Sequence, residues 1–535
     1  ADLHLRSGRY AAARSMLHEA MSIVDRYAVA YDRAYVQRAL ARAHIVCGEN
    51  VEAIRLLHAA RAAEGEVLDD LVSIDAFQLS IFEDHVQTHE MLQWAMVDAG
   101  AFEMALETAE RARARVLADT LTRRFDISPY AAGDDLDVRA MRAVAEATHT
   151  TLLVYSVVHD PRVMFPEEPA QDIFVWVIPS IAHEELRFHR IRSASQIRAT
   201  ALGLLTSMSD GGTSVEIEAA LRRLHGDLIK PIADEVFGNE ELTIVGNDFI
   251  PLIPFAALTD SAGVRFIEQD AIATVPSVRV LHLLDQHGRA GGEDAHGALV
   301  VGNPLAAIVE RPFWRTARIF EPIPWAEQEA KLVASRFGCE AILAHSATHE
   351  TVVCQMPGKR FLHFATHGLF DPSDGMTALG ALLLDPSPDG TAFLTAEEVM
   401  GMRLTASLAT LSACESGQGQ RTAEGFVGLP RAFLMAGVRC VIAALWRVPD
   451  AATGVLMGHF YDVLVSESRP SIASAMRAAM IRTMKTHPNP CDWAGFTIIG
   501  DPHAFHENVA TPVRLLAHED QLRSRLENGT STAPG

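Results

Sequence analysis

Between residues 242 and 446 the chain repeats one device: a short, almost wholly apolar run that stops abruptly at a turn. Leu242-Thr243-Ile244-Val245 ends in Gly246-Asn247-Asp248, and Ala298-Leu299-Val300-Val301 ends in Gly302-Asn303-Pro304. Phe361-Leu362-His363-Phe364-Ala365 stops at Thr366, Leu408-Ala409-Thr410-Leu411-Ser412-Ala413 stops at Cys414, and 438–446 is apolar but for Arg439. A strand with no polar face must be buried on both sides, and the helical segments between such strands supply the covering layers. The chain is therefore expected to build an α/β domain around a mainly parallel sheet flanked by helices. Ahead of these runs, 151–158 and 173–178 are rich in β-branched and aromatic residues and read as a hairpin or meander, with a helical stretch near 195–236.

Residues 1–125 differ in kind. They are almost free of proline and dense in alanine, leucine and arginine, which suits helices. One pattern occurs three times: a glycine, then Tyr, Asn or Phe two residues on, then small or apolar residues at five, nine and twelve on. The copies are Gly8-Tyr10-Ala13-Leu17-Ala20, Gly48-Asn50-Ala53-Leu57-Ala60 and Gly100-Phe102-Ala105-Ala109-Ala112. The glycine suits a tight turn between helices, and the small residues let a neighbouring helix approach. The pattern resembles the tetratricopeptide repeat. Its glycines stand 40 and 52 residues apart, against a regular period of about 34, so longer helices or an inserted helix near 65–85 are expected. The first copy supplies only half a repeat, which reads as a chain cut from a longer array. Such arrays offer a concave face to peptides or partner proteins.

The bulk numbers narrow the function classes. The 535 residues point to several domains, and 49% hydrophobic with 21% charged residues describes an ordinary globular protein. A net charge of −22 gives no general attraction to phosphate backbones or anionic membranes, so direct nucleic-acid binding is not expected. Arg111, Arg113, Arg115, Arg123 and Arg124 form a local basic run, readable as a solvated helix face or as a patch for phosphate. The six cysteines form no Cys-x-x-Cys pair, which argues against a disulfide framework or a structural zinc site and suits a reducing compartment. No apolar run approaches the roughly 18 residues that span a bilayer. A cytoplasmic protein with no cofactor and no metal is expected.

Two strand ends carry reactive groups. Strand 361–366 runs into His367-Gly368, and strand 408–413 runs into Cys414. Taken singly, Cys414 reads as a small buried residue and His367 as a loop histidine. Together they fit a nucleophile and its base, because a nearby histidine takes the thiol proton and the thiolate is the attacking species. Their 47-residue separation fits one strand–helix–strand crossover. The amides of Gly368 and Cys414 are placed to face a developing oxyanion. The loop 415–425, with Glu415, Gly417, Gly419 and Arg421, reads as mobile from its glycines and as a regulatory loop ordered by an activator. Phosphate-loop, dinucleotide-loop, His-Glu-x-x-His and Gly-x-Ser-x-Gly signatures are absent.

The stretches "FLHFATHG" and "LATLSACESG" resemble the two active-site motifs of the caspase–separase clan of cysteine peptidases, most nearly those of the CHAT domain found with tetratricopeptide repeats. The likeness continues through "IPLIPFAAL", "ATVPSVRVL", "EGFVGLPRAFLMAGVRCVIAALWRVPD", "GFTIIGDP" and the junction "ALETAERARARVLADTL". It implies a caspase-like α/β fold behind an all-α tetratricopeptide-like region. The chain then divides into helical repeats at 1–125, a helical linker at 126–149, a pseudo-caspase-like half of the CHAT domain at 150–340, a catalytic half at 341–505 and a polar tail at 506–535. The resemblance implies a cysteine endopeptidase with Cys414 as nucleophile, His367 as base, and an oxyanion hole from Gly368 and Cys414. No third carboxylate is required in this clan. By similarity to the tryptophan-containing strand end of separases, Asp450 would meet a basic side chain before the cleaved bond, with Trp446 as a pocket wall. The alternative for Asp450 is a helix N-cap. The implied partners are a protein substrate and an activator or sensor bound through the repeats, in a bacterial defence or cell-death setting. The rival reading is a non-catalytic scaffold that assembles signalling or defence complexes.

Overall fold

The computed structural model describes residues 1–505 apart from 2–3, 5–6, 28–29, 70–75, 127–135, 164–169, 182, 237, 239–240, 290–294, 305–307, 310–317, 371–377, 414–415, 418 and 423–424. Only the backbone is described at 27, 66–69, 76–84, 289, 308–309, 318–319, 420–422 and 425–426. Cys414, Glu415 and the expected tail at 506–535 therefore lie outside the described residues.

The N-terminal region is helical: α1 (Tyr10–Tyr27), α2 (Ala30–Val46), α3 (Asn50–Asp69), α4 (Ala76–Asp98), α5 (Phe102–Arg111), α6 (Arg115–Arg124) and, within the stretch expected as a linker, α7 (Val138–Ala147). The three repeat glycines do what their positions suggest. Gly8, Gly48 and Gly100 sit at φ of +72°, +76° and +78° in the turns before α1, α3 and α5. Side chains disfavour that region by about 1–2 kcal/mol. The residues five positions on, Ala13, Ala53 and Ala105, are wholly buried, which brings neighbouring helix backbones together. The long second spacing comes from long helices, since α3 has 20 residues and α4 has 23.

One sheet of eleven strands follows: β1 (Thr151–His159), β2 (Gln171–Ile178), β3 (Arg187–Ile191), β4 (Glu241–Gly246), β5 (Ala271–Val275), β6 (Ala298–Gly302), β7 (Ile342–Leu343), β8 (Phe361–Ala365), β9 (Leu408–Ser412), β10 (Cys440–Ala444) and β11 (Phe496–Gly500). Their spatial order is β3-β2-β1-β4-β5-β11-β10-β9-β8-β6-β7. The strands β1, β4, β5 and β11 run parallel, as do β10, β9, β8, β6 and β7. These two sets meet at the antiparallel pair β10–β11. The expected meander is present as β1–β2–β3, antiparallel at the sheet edge.

Both faces are covered, as the apolar runs require. Along β1, Leu152, Val154 and Val158 join a core with the repeat helices, α7, α10 (Val278–Arg289) and α12 (Leu429–Ala436). Leu153, Tyr155 and Val157 point into a second core with α8 (Ala194–Asp210), α9 (Ser214–Leu228), α11 (Pro324–Phe337), α13 (Asp450–Leu464) and α14 (Ile472–Met484). Each buried leucine-sized side chain contributes roughly 1.5–3 kcal/mol. The repeats are thus one covering layer of the sheet, and residues 1–505 form a single compact unit.

The basic run 111–124 is not simply a solvated face. Arg113 is buried and donates to the Tyr155 carbonyl at 2.7 Å. Arg124 donates to the carbonyls of Met400 (3.1 Å), Ala436 (2.9 Å) and Met402, while Arg123 alone stays fully outward. Arg113 sits just past α5 and Arg124 ends α6, so those two side chains meet the CHAT-side layer rather than water.

Candidate active site

The site begins with two adjacent parallel strands. In β8 and β9, Phe361 pairs with Leu408 and Ala365 with Ser412. One residue further, Thr366 N donates to Ser412 O at 3.3 Å, extending the pairing beyond both strand ends. His367 is next. Its carbonyl accepts from Leu383 N at 2.9 Å, and Thr366 Oγ1 donates to Leu383 O at 2.6 Å. Those bonds dock the strand tip onto a small antiparallel sheet of Gly368–Leu369, Ala381–Leu383 and Phe393–Thr395. Gly368 lies opposite Leu382 as the non-hydrogen-bonded kind of pair, because Leu383 N reaches back to His367 O. The Gly368 amide is therefore not used by that ladder.

The imidazole of His367 is oriented by a main-chain group. Its Nε2 lies 2.7 Å from the carbonyl oxygen of Glu321, and its ring lies 5.5 Å from that of Phe320. A carbonyl only accepts, so the bond assigns the proton to Nε2 and leaves Nδ1 with a free lone pair. The Glu321 segment is itself tied down, since Ile323 N donates to Asn303 Oδ1 at 2.8 Å and Asn303 N donates to Ala365 O at 3.0 Å. Gly302 permits this crowding, because a Cβ there would meet the Ala330 Cβ of α11 at 2.4 Å.

Beyond the undescribed positions 414 and 415 the chain is fastened again. Ser416 is buried; its Oγ donates to Leu411 O at 2.9 Å and accepts from Ala444 N at 3.0 Å. Gly417 N donates to Ala444 O at 2.8 Å. The glycines read above as a source of mobility have another use here. A Cβ on Gly417 would lie 2.9 Å from Ala444 O, and one on Gly419 would lie 2.6 Å from Val427 O. Further on, Gln420–Thr422 and Gly425–Val427 pair as an antiparallel hairpin that includes the backbone of Arg421. Glycine is needed at 417 and 419 because main chain passes that close.

A cavity of about 30 Å³ lies at the strand tips, lined by Thr366, Ser412, Ala413, Trp446, Asp450 and Glu329 among others. Trp446 is fully buried, its Nε1 donating to Cys491 O at 3.1 Å. Asp450 opens α13, but Pro449 occupies the N-cap position and no side chain makes a cap bond there. The capping alternative for Asp450 is therefore not what the structure contains. Glu329, 4% exposed, lies 3.0 Å from His363 Nε2 without hydrogen-bond alignment. His363 Nδ1 in turn meets Tyr461 OH at 3.0 Å.

The neighbouring strand cysteine makes a contrast. Cys440, on β10, is buried, and burial followed by the Asp501 charge pushes its thiol well above the ordinary range. Among the described residues no cluster of three or more His, Cys, Asp or Glu side chains could hold a metal ion, and no described helix is long and apolar enough to cross a membrane.

Sequence reasoning found the strand ends but missed Glu321, Asn303 and Ser416. Glu321 acts through a carbonyl that every residue has. Asn303 was visible only as a turn residue in "VVGNP", and Ser416 only as a polar letter in a glycine-rich loop.

The architecture is that of a caspase-like α/β protein carrying tetratricopeptide-type helices on one face of its sheet. The fold of the yeast (Saccharomyces cerevisiae) separase in the separase–securin complex superposes with a TM-score of 0.53, at 10% identity, over 88% of this chain and 40% of that one. The model of the CHAT domain matches residues 218–501, over half of the chain, and the chain belongs to the CHAT-domain family. Tetratricopeptide repeat protein 28 of mouse is 27% identical over 401 residues, which is 63% of this chain and 16% of that protein. Its human counterpart is 28% identical over 365 residues, 57% of this chain and 14% of that protein. The chain thus spans about one-sixth of the length of these relatives.

Proposed function

We propose that the chain is a cysteine endopeptidase of caspase–separase type, with Cys414 as nucleophile and His367 as its base. The observation that carries this reading is the Glu321 carbonyl on His367 Nε2, which leaves Nδ1 as the acceptor. Register supports it too: His367 and Cys414 each follow by two residues the paired positions Ala365 and Ser412. His367 Nδ1 takes the thiol proton, and the thiolate attacks the scissile carbonyl carbon. The oxyanion accepts from the amides of Gly368 and Cys414. Collapse breaks the C–N bond, the leaving amine takes its proton from His367, and water then hydrolyses the thioester.

Asp450 receives a basic side chain before the cleaved bond, with Trp446 as a wall. Its carboxylate makes no hydrogen bond or ion pair with another described residue, which supports a ligand-facing role. The repeats bind an activator or sensor protein, and the hairpin-forming loop with Glu415, Gly417, Gly419 and Arg421 relays that event. The setting is an effector of bacterial defence or cell death acting on a protein partner.

The test is mass spectrometry of new N-termini after incubating candidate partner proteins with wild type, Cys414→Ala and His367→Ala. Wild type should cut; Cys414→Ala should not; His367→Ala should lose about 10²–10⁴-fold in rate. Undiminished cutting by Cys414→Ala sinks the proposal. Absence of cutting by wild type with its activator present supports the scaffold reading instead. With peptide substrates, Asp450→Asn should erase a preference for Arg or Lys over Met.

A further inference from the structure

The cavity at the strand tips holds more acid than the proposed chemistry uses. Two carboxylates line it, Asp450 at the head of α13 and Glu329 in α11, and among its described lining residues there is no lysine, arginine or histidine. Asp450 is half-buried and Glu329 is 4% exposed, so Asp450 stands nearer the mouth and Glu329 nearer the floor. Ser412, the last residue of β9, is also buried, and its Oγ has no hydrogen-bond partner among the described residues.

The protein around Glu329 does not satisfy it. Its Oε1 faces His363 Nε2 at 3.0 Å, out of hydrogen-bond alignment. His363 is held by its other nitrogen: Tyr461 OH lies 3.0 Å from Nδ1 and donates onward to Thr410 Oγ1 at 2.8 Å. Tyr461 therefore accepts from Nδ1, and with the proton there a neutral ring has none at Nε2 to offer Glu329. His363, Tyr461 and Thr410 are all buried, so bulk water does not reach this chain of side chains. A carboxylate buried without donors is costly to keep, and it is tolerated where a ligand brings donors of its own.

We propose that this cavity takes the side-chain ammonium of a lysine, with Glu329 as the floor that selects it; this rests on the reading that the cavity receives the residue before the cleaved bond. An ammonium is a compact charge with three donors, and Glu329, Ser412 Oγ and Asp450 supply three acceptors around one small space. Size decides against arginine. The cavity measures about 30 Å³, room for roughly two water-sized groups at about 10–15 Å³ each. An ammonium and its last methylene are two such groups, whereas a guanidinium is a rigid plane of four heavy atoms. Trp446 and Val448, both buried, give the methylene stem an apolar wall. Asp450 alone leaves the choice between lysine and arginine open, and Glu329 with Ser412 closes the far end.

The binding test uses the full chain carrying Cys414→Ala, which cannot turn over, and three capped residues: the Nα-acetyl methylamides of lysine, arginine and norleucine. Isothermal calorimetry should show lysine binding at least about tenfold more tightly than norleucine, the scale of one charge-assisted hydrogen bond, and severalfold more tightly than arginine. Adding Glu329→Gln should erase the gain over norleucine and leave norleucine binding unchanged. If Glu329→Gln loses the native circular dichroism spectrum, Ser412→Ala, which removes an unpartnered hydroxyl, is read in its place and should weaken lysine binding severalfold. No heat from lysine at millimolar concentration, equal affinity for lysine and norleucine, or lysine binding unmoved by these variants overturns the proposal. Arginine binding as tightly as lysine overturns the lysine assignment. Cleavage by the wild type is read apart from binding. Cutting with no preference for lysine defeats this inference and leaves the peptidase standing, while lysine binding with no cutting defeats the peptidase and leaves the pocket.

Discussion

The hydroxyl of Ser416 spans two strands, donating to Leu411 O in β9 and accepting from Ala444 N in β10. Ser416→Ala leaves the Ala444 amide buried without that acceptor, which costs about 1–3 kcal/mol. Urea unfolding should show stability falling by that amount, while Ser407→Ala, away from this bridge, should leave it nearly unchanged. At this scale the sequence was half legible. The strand ends just before positions 367 and 414 could be read because each closes an apolar run, and the run's abrupt end is a local signal. Ser416 could not, because its acceptor role depends on Ala444, 28 positions away. Arg113 was unreadable for the same reason, since its partner is a carbonyl on β1.

Turns and helices respond to substitution in opposite ways, and glycine shows both. Gly48 holds φ at +76°, and a Cβ added there would meet nothing within 4 Å, so Gly48→Ala strains the backbone without a clash. It should cost about 1–2 kcal/mol. Gly203 lies inside α8 with equally open surroundings and an ordinary helical φ. Gly203→Ala should stabilise by up to about 1 kcal/mol. Thermal melts of the two variants should move in opposite directions; a rise for Gly48→Ala would undo the turn argument. The repeat pattern made Gly48 legible, because glycine recurs at the same offset before small buried residues. The sheet's strands were legible by lack of polar alternation. The small sheet of Gly368–Leu369, Ala381–Leu383 and Phe393–Thr395 was not, since strands of two or three residues leave too few positions to show a period.

Across the whole molecule, the repeats and the CHAT domain meet through His287. Its ring stacks on Phe125 with centroids 3.7 Å apart and planes 3° from parallel. Burial first, and then the Arg439 charge, pushes its pKa down to about 4. Between the ordinary value of about 6.5 and that lowered one, the unfolded chain binds a proton that the native chain refuses. Stability therefore falls as pH drops through this window and is fully present above it. His287→Phe keeps the stack and removes the titration, so its melting temperature should decline less between pH 6.5 and 5 than that of wild type. Parallel declines would assign the pH dependence elsewhere. Composition had no means of foretelling this contact, which joins residue 125 to residue 287 across the linker.

The placement of β11 has a consequence for how the molecule comes into being. This strand, Phe496–Gly500, sits in the middle of the sheet between β5 and β10. A ribosome adds about 5–20 residues per second, so β11 emerges roughly 25–100 s after the first helix. Until then the two parallel sets of strands have no common neighbour, and each exposes an apolar edge where β11 will lie. The nascent chain is thus a pair of unfinished halves, and a premature stop before 496 should release an aggregation-prone fragment instead of a weakened but folded protein.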